Sequence, residues 1–412
     1  MGPEAQYQGA MALGVKGMLQ SRVRCSPHVI SNRDRYDANQ EMTMKSTAAV
    51  AHSLRSPFVV EEVELPDLQP TEVLVRIVAV GICHTDIGSR DGQLPAPFPA
   101  IFGHEGSGVV ERVGGVVRKV APGDHVVLAP DSDGTCQLCA SGEPTYCERF
   151  LELNFQAGTN GRTALLPDGR RASIKYFGQS SFAHHAVASE RSVVKVRKDL
   201  PLKLLGPLGC GVQTGAGTVI NGLRPRPGTS IAILGTGAVG MAALLGAVVS
   251  GCATIIAVDR VDSRLDLARG VGATHAINTT QATDLASAIR AVVPRGVDFV
   301  VDSAGVDALI QMAMASLAPR GTLALVATPP GADRRLDVPW GSVLLQGQVV
   351  RGFIEGNSIP DIFIPRLIEL YAQGRFPFDK FVRFYPFTEI NRAVEDQRNG
   401  NAIKPILEVS VA

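Results

Sequence analysis

Two cysteines and a histidine stand far apart in this 412-residue chain, each in a setting that suits metal ligation. Cys83 lies in "GICHTDIG", His104 in "FGHEGSGVV" directly before Glu105, and Cys210 in "LGPLGCGVQTGAG". Two thiolates and one imidazole make an open zinc site that keeps a fourth position for water or substrate. A single buried cysteine is more often an inert thiol, and a single histidine in an apolar strand is usually a satisfied core residue. The set is what raises the odds. Cys83 and His104 share one β-rich stretch, and Cys210 stands where the chain changes to alternating strands and helices. Such positions suit a cleft between two domains.

A second cluster is local. In "SDGTCQLCASGEPTYC", Ser132 to Cys147, the thiols of Cys136, Cys139 and Cys147 have metal-ligand spacing, but a structural zinc takes four ligands. Asp133 stands where the fourth thiolate is expected. A carboxylate oxygen binds zinc at about 2.0–2.2 Å, so Asp–Cys₃ is chemically allowed, with weaker affinity than four sulfurs. Gly134 and Gly142 supply the turns, and we expect the lobe to keep its zinc. A redox role for Cys136 and Cys139 is disfavoured because no thioredoxin-like strand and helix surround them.

"ILGTGAVG" places Gly235, Gly237 and Gly240 after a strand and at the opening of a helix, as a dinucleotide site requires. Asp259 ends the next strand, at the distance from Gly240 that the fingerprint needs. A carboxylate there accepts the adenosine ribose hydroxyls and repels a 2′-phosphate, which favours NAD over NADP, although Arg260 beside it works against that repulsion. Val239 inside the motif and Arg264 beyond Asp259 are grouped with this site.

The elements that must position these groups fall into two textures. From about Ser56 to Leu128, short β-branched runs broken by Gly and Pro read as an irregular all-β unit. After Cys210, "TSIAILG", "TIIAVD", "VDFVVDSAG" and "GTLALVAT" alternate with helical segments, ending near "GQVVRGF". That is an α/β fold with a doubly wound parallel sheet of about six strands. The tail adds a helix, "IPRLIELYAQG", and strand-like "FVRFYPF" and "KPILEV". The apolar run "SIAILGTGAVGMAALLGAVV" reads as buried strand, turn and helix rather than a membrane span.

Charge is nearly balanced, 40 Lys+Arg against 39 Asp+Glu, which argues against nucleic acid or an anionic membrane as partner. Seven clustered cysteines in so long a chain do not make a disulfide framework, and no secretory leader is evident, so a reducing cytoplasm is expected. Residues 1–45 are polar and aperiodic and read as a disordered extension, with translation starting at Met42 or Met44. A transit peptide is disfavoured by Glu4, Asp34, Asp37 and Glu41.

With "GHEGSGVVERVG", "CHTD", "FGQSSFA", "LGPLGCGVQTGAG" and "GTGAVG" in place, residues 47 to 412 resemble the zinc-dependent medium-chain alcohol dehydrogenases, within them the aryl-alcohol (benzyl or geraniol type) branch. The resemblance implies a GroES-like catalytic domain over 46–211 with its lobe at 132–147, a Rossmann NAD domain over 212–351, and a return to the catalytic domain over 352–412. It implies that Cys83, His104 and Cys210 hold the catalytic zinc with Glu105 behind it, and that Asp133, Cys136, Cys139 and Cys147 hold a structural one. Asp86 would orient His104, and Thr85 would take the substrate hydroxyl proton. His84 and Lys404 match positions at the cofactor phosphates, Thr214 one beside the nicotinamide. The reaction implied is reversible oxidation of a primary aryl or allylic alcohol to its aldehyde with hydride transfer to NAD, in a homodimer or homotetramer. The chain departs from many relatives at Gly88, where they carry the histidine that ends the proton relay.

Three rivals stand beside this reading. A general short-chain alcohol or formaldehyde-adduct dehydrogenase would share every motif above. A zinc-free NADPH reductase of the superfamily would lack the Cys83, His104 and Cys210 set. A zinc-binding interaction protein without catalysis is disfavoured by the balanced charge and the absence of a basic stripe. Phe98, Leu153 and Phe155 read as loop residues available to line a substrate cleft, against the commoner place of a few loose aromatics in the core.

Overall fold

The computed structural model describes residues 42–155, 162–282, 284–328 and 335–411. Of the extension expected over 1–45, residues 1–41 lie outside this set. A strand, Met42–Ala51, takes in the rest and pairs antiparallel with Phe58–Pro66, Lys45 opposite Glu64. The β-rich unit therefore begins at Met42, well before Ser56 where its sequence texture sets in, because the pairing partner, not the composition of "MTMK", sets the start.

The β-rich unit holds a closed five-stranded barrel and a seven-stranded sheet. Glu72–Gly81 is the hub of that sheet. It pairs with Gly106–Val113, with His185–Ser189 and, reaching to the far end of the sequence, with Lys404–Glu408. Its apolar residues are buried on both faces, which is why "EVLVRIVAVG" is an almost unbroken hydrophobic run. Cys83 and the helix His84–Arg90 follow it directly, and His104 and Glu105 precede its neighbour Gly106–Val113. The zinc-type residues thus sit at the ends of two paired strands.

The second unit is a six-stranded, all-parallel sheet. In chain order its strands are Ser230–Leu234, Thr254–Asp259, His275–Asn278, Val297–Asp302, Leu317–Leu325 and Val349–Gly352, arranged 3-2-1-4-5-6. This is the doubly wound order, which places a ligand crevice at the carboxyl ends of the strands where the order reverses. The strand His275–Asn278 and the helix Leu285–Val292 were not read from the sequence; the strand is short and none of its residues is fully buried. The long apolar run divides as expected into strand Ser230–Leu234 and helix Ala238–Val249. Among the described residues no helix is long and apolar enough to cross a membrane.

One apolar cluster joins the two units: Val78, Ala79 and Val127 of the β-rich unit pack with Leu205, Leu208 and Val212 and with Ile231, Met241 and Leu245. The helix Gly211–Gly217, which Cys210 caps, lies against the fingerprint helix at a distance only glycine permits. A Cβ on Gly215 would stand 2.0 Å from the Val239 carbonyl oxygen and 2.7 Å from the Ala243 nitrogen. The second sulfur of the set is in this way locked to the dinucleotide motif.

Candidate active site and a second metal cluster

Cys83 caps the helix His84–Arg90, and Asp86 in its first turn has two duties. Its Oδ2 accepts the Cys83 backbone N–H at 3.0 Å. Its Oδ1 accepts the Gly103 N–H at 3.0 Å and the His104 Nδ1 proton at 2.8 Å. A carboxylate on Nδ1 fixes the imidazole in one tautomer and orientation. Nε2 then faces the sulfurs, 3.2 Å from Cys210 Sγ. Ligand atoms of Cys83, His104, Glu105 and Cys210 all lie within 4.8 Å of one another, and all but Cys83 are buried. Thr85 Oγ1 is 3.5 Å from Cys83 Sγ, so the hydroxyl expected to meet substrate borders the cluster.

The charges in this pocket are strongly coupled. The hydrogen bond from Cys210 and then the imidazole hold Cys83 well below the ordinary thiol range, against burial. The same sulfur–sulfur contact, with burial and nearby Glu355, pushes Cys210 well above it. Burial would lower His104, but Asp86 and Cys83 outweigh it and raise the imidazole well above its usual value. A divalent cation among these donors would ionise both sulfurs and keep the imidazole neutral. Two sulfurs, a nitrogen with a locked tautomer and an adjacent carboxylate are a donor set that fits zinc.

Glu105 shows a partner the sequence did not reveal. Lys404 donates to both its oxygens at 2.8 Å and to the Ile82 carbonyl at 3.1 Å, fully buried. Burial pushes Glu105 up, opposed by Lys404. The lysine expected at the cofactor phosphates therefore commits its ammonium to the Glu105 carboxylate. It still borders the fingerprint: a Cβ on Gly211 would meet Glu105 Oε1 at 3.3 Å, Lys404 Nζ at 3.5 Å and Val239 Cγ2 at 3.8 Å. His84 opens onto this cleft. Its pKa is lowered by the packed protein around it, and by the positive charges of Lys404, Arg264 and Arg398 against the pull of Cys83. Lys404 is paired with Glu105 and Arg398 with Asp91, so Arg264 is the cation of this group best placed to meet a diphosphate.

At the dinucleotide motif, a Cβ on Gly240 would fall 1.8 Å from the Gly235 carbonyl oxygen, whereas one on Gly237 would enter open space at the helix N-terminus. The first of these glycines serves packing. The second leaves room for phosphate beside backbone N–H groups, and so the loop fits a pyrophosphate. Asp259 Oδ2 accepts from Thr236 N and Thr236 Oγ1, both at 2.7 Å, and Oδ1 from the backbone of Arg260 at 2.7 Å and Val261 at 3.1 Å. Burial raises its pKa, but these hydrogen bonds prevail and hold the carboxyl below its ordinary range. Arg264 Nε is buried with no hydrogen-bond partner. Thr214, expected beside the nicotinamide, donates to Glu355 Oε2 at 3.2 Å.

An aromatic wall surrounds His104. Phe177 stacks on its ring at 4.4 Å between centroids, Tyr176 stands edge-on at 5.7 Å, and Phe155 touches both aromatics at 4.9 and 6.1 Å. Phe98 packs edge-on against Phe102 at 6.0 Å. Sequence reading singled out Phe155 and Phe98 but not Tyr176 and Phe177, although Phe177 opens the quoted "FGQSSFA" and Tyr176 directly precedes it. The φ of Phe177 is 51°. That is a left-handed angle, which bulky residues rarely adopt and which tends to mark functional segments.

In the lobe, ligand atoms of Asp133, Cys136, Cys139 and Cys147 again lie within 4.8 Å of one another. Asp133 Oδ1 accepts the backbone N–H groups of Thr135 at 2.8 Å and Cys136 at 2.9 Å. Those bonds, that of Cys136 first, hold its carboxyl far below the ordinary range, so the missing thiolate is replaced by a permanent anion. Burial first, and then the neighbouring sulfurs, push Cys139 up to about 12. Three sulfurs and an anionic oxygen in one cluster fit a zinc ion. All six described cysteines are free thiols.

A GroES-like barrel joined to a doubly wound sheet, with sulfur and imidazole ligands gathered between them, defines a metal-dependent dehydrogenase of two domains. Residues 69–198 match the family described as alcohol dehydrogenase GroES-like domain, and residues 238–373 the family described as zinc-binding dehydrogenase. The chain belongs to the zinc-dependent medium-chain alcohol dehydrogenase family. It is 42% identical over 366 residues to a geraniol dehydrogenase of Castellaniella defragrans, covering 88% of this chain and 98% of that one. Among solved structures it is similar to benzyl alcohol dehydrogenase from Acinetobacter calcoaceticus (42% identity, TM-score 0.84). An alcohol dehydrogenase zinc-binding domain protein from Burkholderia ambifaria aligns with 46% identity and a TM-score of 0.87. Each of the two alignments covers 89% of this chain and all of the other.

Proposed function

We propose that this enzyme oxidises primary benzylic or allylic alcohols to aldehydes, reversibly, with NAD as hydride acceptor. The observation that carries the reading is the buried Cys83, His104, Glu105 and Cys210 cluster, bordered by Thr85 and joined through Gly215 to the dinucleotide motif. Cys83, His104 and Cys210 would hold zinc, whose Lewis acidity brings a hydroxyl within reach of deprotonation near neutral pH. Thr85 receives the hydroxyl proton, and because Gly88 offers no side chain to continue the relay, water completes it. Asp86 keeps His104 from rotating, and Phe155, Tyr176 and Phe177 exclude water and offer apolar surface to an unsaturated substituent. Asp259 holds the adenosine ribose, and His84 and Arg264 face the diphosphate. The lobe keeps a second, structural zinc.

Absorbance of the reduced cofactor tests this directly with benzyl alcohol, cinnamyl alcohol, geraniol and ethanol, each with NAD and with NADP. The expected kcat/KM with NAD is about tenfold or more above ethanol for the first three, the size of discrimination apolar contacts supply. Ethanol equalling them would overturn the substrate class, and preference for NADP would overturn the role given to Asp259.

A second copy of the chain is the partner we propose, in the cytoplasm. The outer edge of Val349–Gly352 has no strand partner among the described residues, and the adjacent helix Trp340–Gln346 exposes Trp340 and Leu345 by 80% and 83%. An open edge beside such a surface calls for cover.

A further inference from the structure

Glu355 is a buried carboxyl group for which the reaction above has no use. It follows the last strand of the parallel sheet in a turn where Glu355, Gly356 and Asn357 all take left-handed angles, φ 49°, 63° and 50°. Two of these residues carry side chains, and such backbone persists only where the surroundings over-determine it. Here the surroundings are the helix that begins at Cys210. A Cβ on Gly356 would lie 2.5 Å from the Gln213 carbonyl oxygen, and one on Gly217 would lie 2.6 Å from the Gly356 carbonyl oxygen. Backbone thus rests on backbone, and the turn cannot shift without moving the helix.

From that fixed base the carboxyl group reaches three residues. Oε1 lies 3.5 Å from Cys210 Sγ, while Oε2 accepts from Gln213 Nε2 at 3.1 Å and Thr214 Oγ1 at 3.2 Å. Gln213 in turn donates to the Gly209 carbonyl at 2.7 Å, on the other side of Cys210. An apolar side chain of similar volume would fill the space but would strand the buried Thr214 hydroxyl and cost the Gln213 amide one of its two bonds.

We propose that Glu355 is a positioning residue that fixes the sulfur of Cys210 and the hydroxyl of Thr214 relative to each other, coupling the metal end of the cleft to the nicotinamide end. The proposal rests on the reading of the cleft as a zinc and NAD site. Partners that orient metal ligands are worth about 10–100-fold in affinity or activity.

Cobalt(II) in place of zinc makes the test spectroscopic, because its thiolate charge-transfer band follows sulfur geometry. The lobe contributes equally in every variant, so differences report the cleft. Glu355→Gln keeps an acceptor for Thr214 and Gln213 and offers an N–H to sulfur; Glu355→Leu keeps only volume. We expect Glu355→Leu to shift the band, to lose cleft metal to a chelator about tenfold faster or more, and to weaken NAD binding measured by fluorescence titration. Glu355→Gln should stay within about twofold of the unmodified protein on all three readings, well inside the effect of losing such a partner. Unchanged readings in Glu355→Leu, or equal damage in both variants, would overturn the proposal. Should Glu355→Leu not fold, Thr214→Val removes one of the carboxyl group's donors: a smaller shift of the same sign supports the proposal, and an unmoved band overturns it. A band that responds in a protein with no alcohol turnover would retain the positioning role and discard the activity.

Discussion

The cleft cluster and the lobe cluster each gather four ligand atoms within 4.8 Å, yet they are built by opposite routes. The lobe draws all its ligands from the single short stretch between Asp133 and Cys147, and its anions are satisfied by neighbouring backbone. The N–H groups of Thr135 and Cys136 donate to the Asp133 carboxylate, and the Asp133 N–H donates to Cys147 Sγ at 3.3 Å. The cleft draws Cys83, His104 and Glu105 from the middle of the β-rich unit and Cys210 from a helix cap 106 residues beyond His104. It then holds them with side chains from elsewhere in the chain: Asp86, Glu355 and Lys404. A local cluster can form with little help from the fold. A cluster assembled from distant parts of the sequence exists only once the fold does, and each of its partners is a separate point of failure.

The largest effect should follow from removing a cleft ligand. In His104→Ala we expect one metal per chain where the unmodified protein holds two, the lobe still loaded, and kcat/KM for benzyl alcohol lower by about 10³-fold or more, the several kcal/mol of Lewis-acid assistance. Metal analysis alongside steady-state rates reads both. Two metals bound, or activity kept, would break the division of labour between the clusters.

Next in size is a residue that touches no substrate. Asp86→Asn leaves the helix cap an oxygen to accept the Cys83 N–H but removes the charge opposite His104, and the amide can no longer accept at both of its terminal atoms. We expect a loss of about 10–100-fold in cleft metal affinity, seen as faster zinc release to a chelator, with a parallel loss in kcat. Lobe metal should be unaffected.

How much of this could be read from the chain follows the same division. Residue type and spacing were enough to single out the residues that the fold gathers in the lobe and in the cleft, whereas the alternation after Cys210 showed five of the six strands and left His275–Asn278 unread. Lys404 was assigned to phosphates, and its pairing with Glu105 was invisible, because an interaction between residues 299 apart leaves no local pattern. Glu355 sits in "IEGNS", which reads as an ordinary turn. The burial that changes its chemistry, and pushes its carboxyl up to about 7 through desolvation, belongs to the fold alone. Phe177 was hidden for a related reason: a phenylalanine next to glycine gives no sign that it will take a left-handed angle and stack on the His104 ring.

The lobe offers a smaller effect that sharpens the comparison. Asp133→Ala should lower metal content from two to one per chain and reduce the thermal midpoint while leaving kcat within about twofold, because lobe and cleft share no hydrogen-bond partner in the contacts above and distant sites act nearly independently. Asp133→Cys should bind the lobe metal more tightly, since sulfur suits zinc better than oxygen. Equal zinc retention in Asp133→Ala and the unmodified chain would show that the carboxylate is no ligand at all.

Asp259 carries the lobe's device into the cofactor domain: a carboxylate held by neighbouring N–H groups, here with Thr236 Oγ1 added. Its folded pKa is depressed. It therefore contributes stability that is fully present above the unfolded value of about 3.9 and is lost as pH falls through the lower folded value. Asp259→Asn should be less stable than the unmodified protein by about 1–3 kcal/mol at pH 7, the range for hydrogen bonds to a charged group. That difference should narrow between about pH 5 and pH 3, followed by the midpoints of urea unfolding. A gap that keeps its size in acid would mean that the shape of the side chain, and not its charge, holds the glycine-rich loop at Thr236.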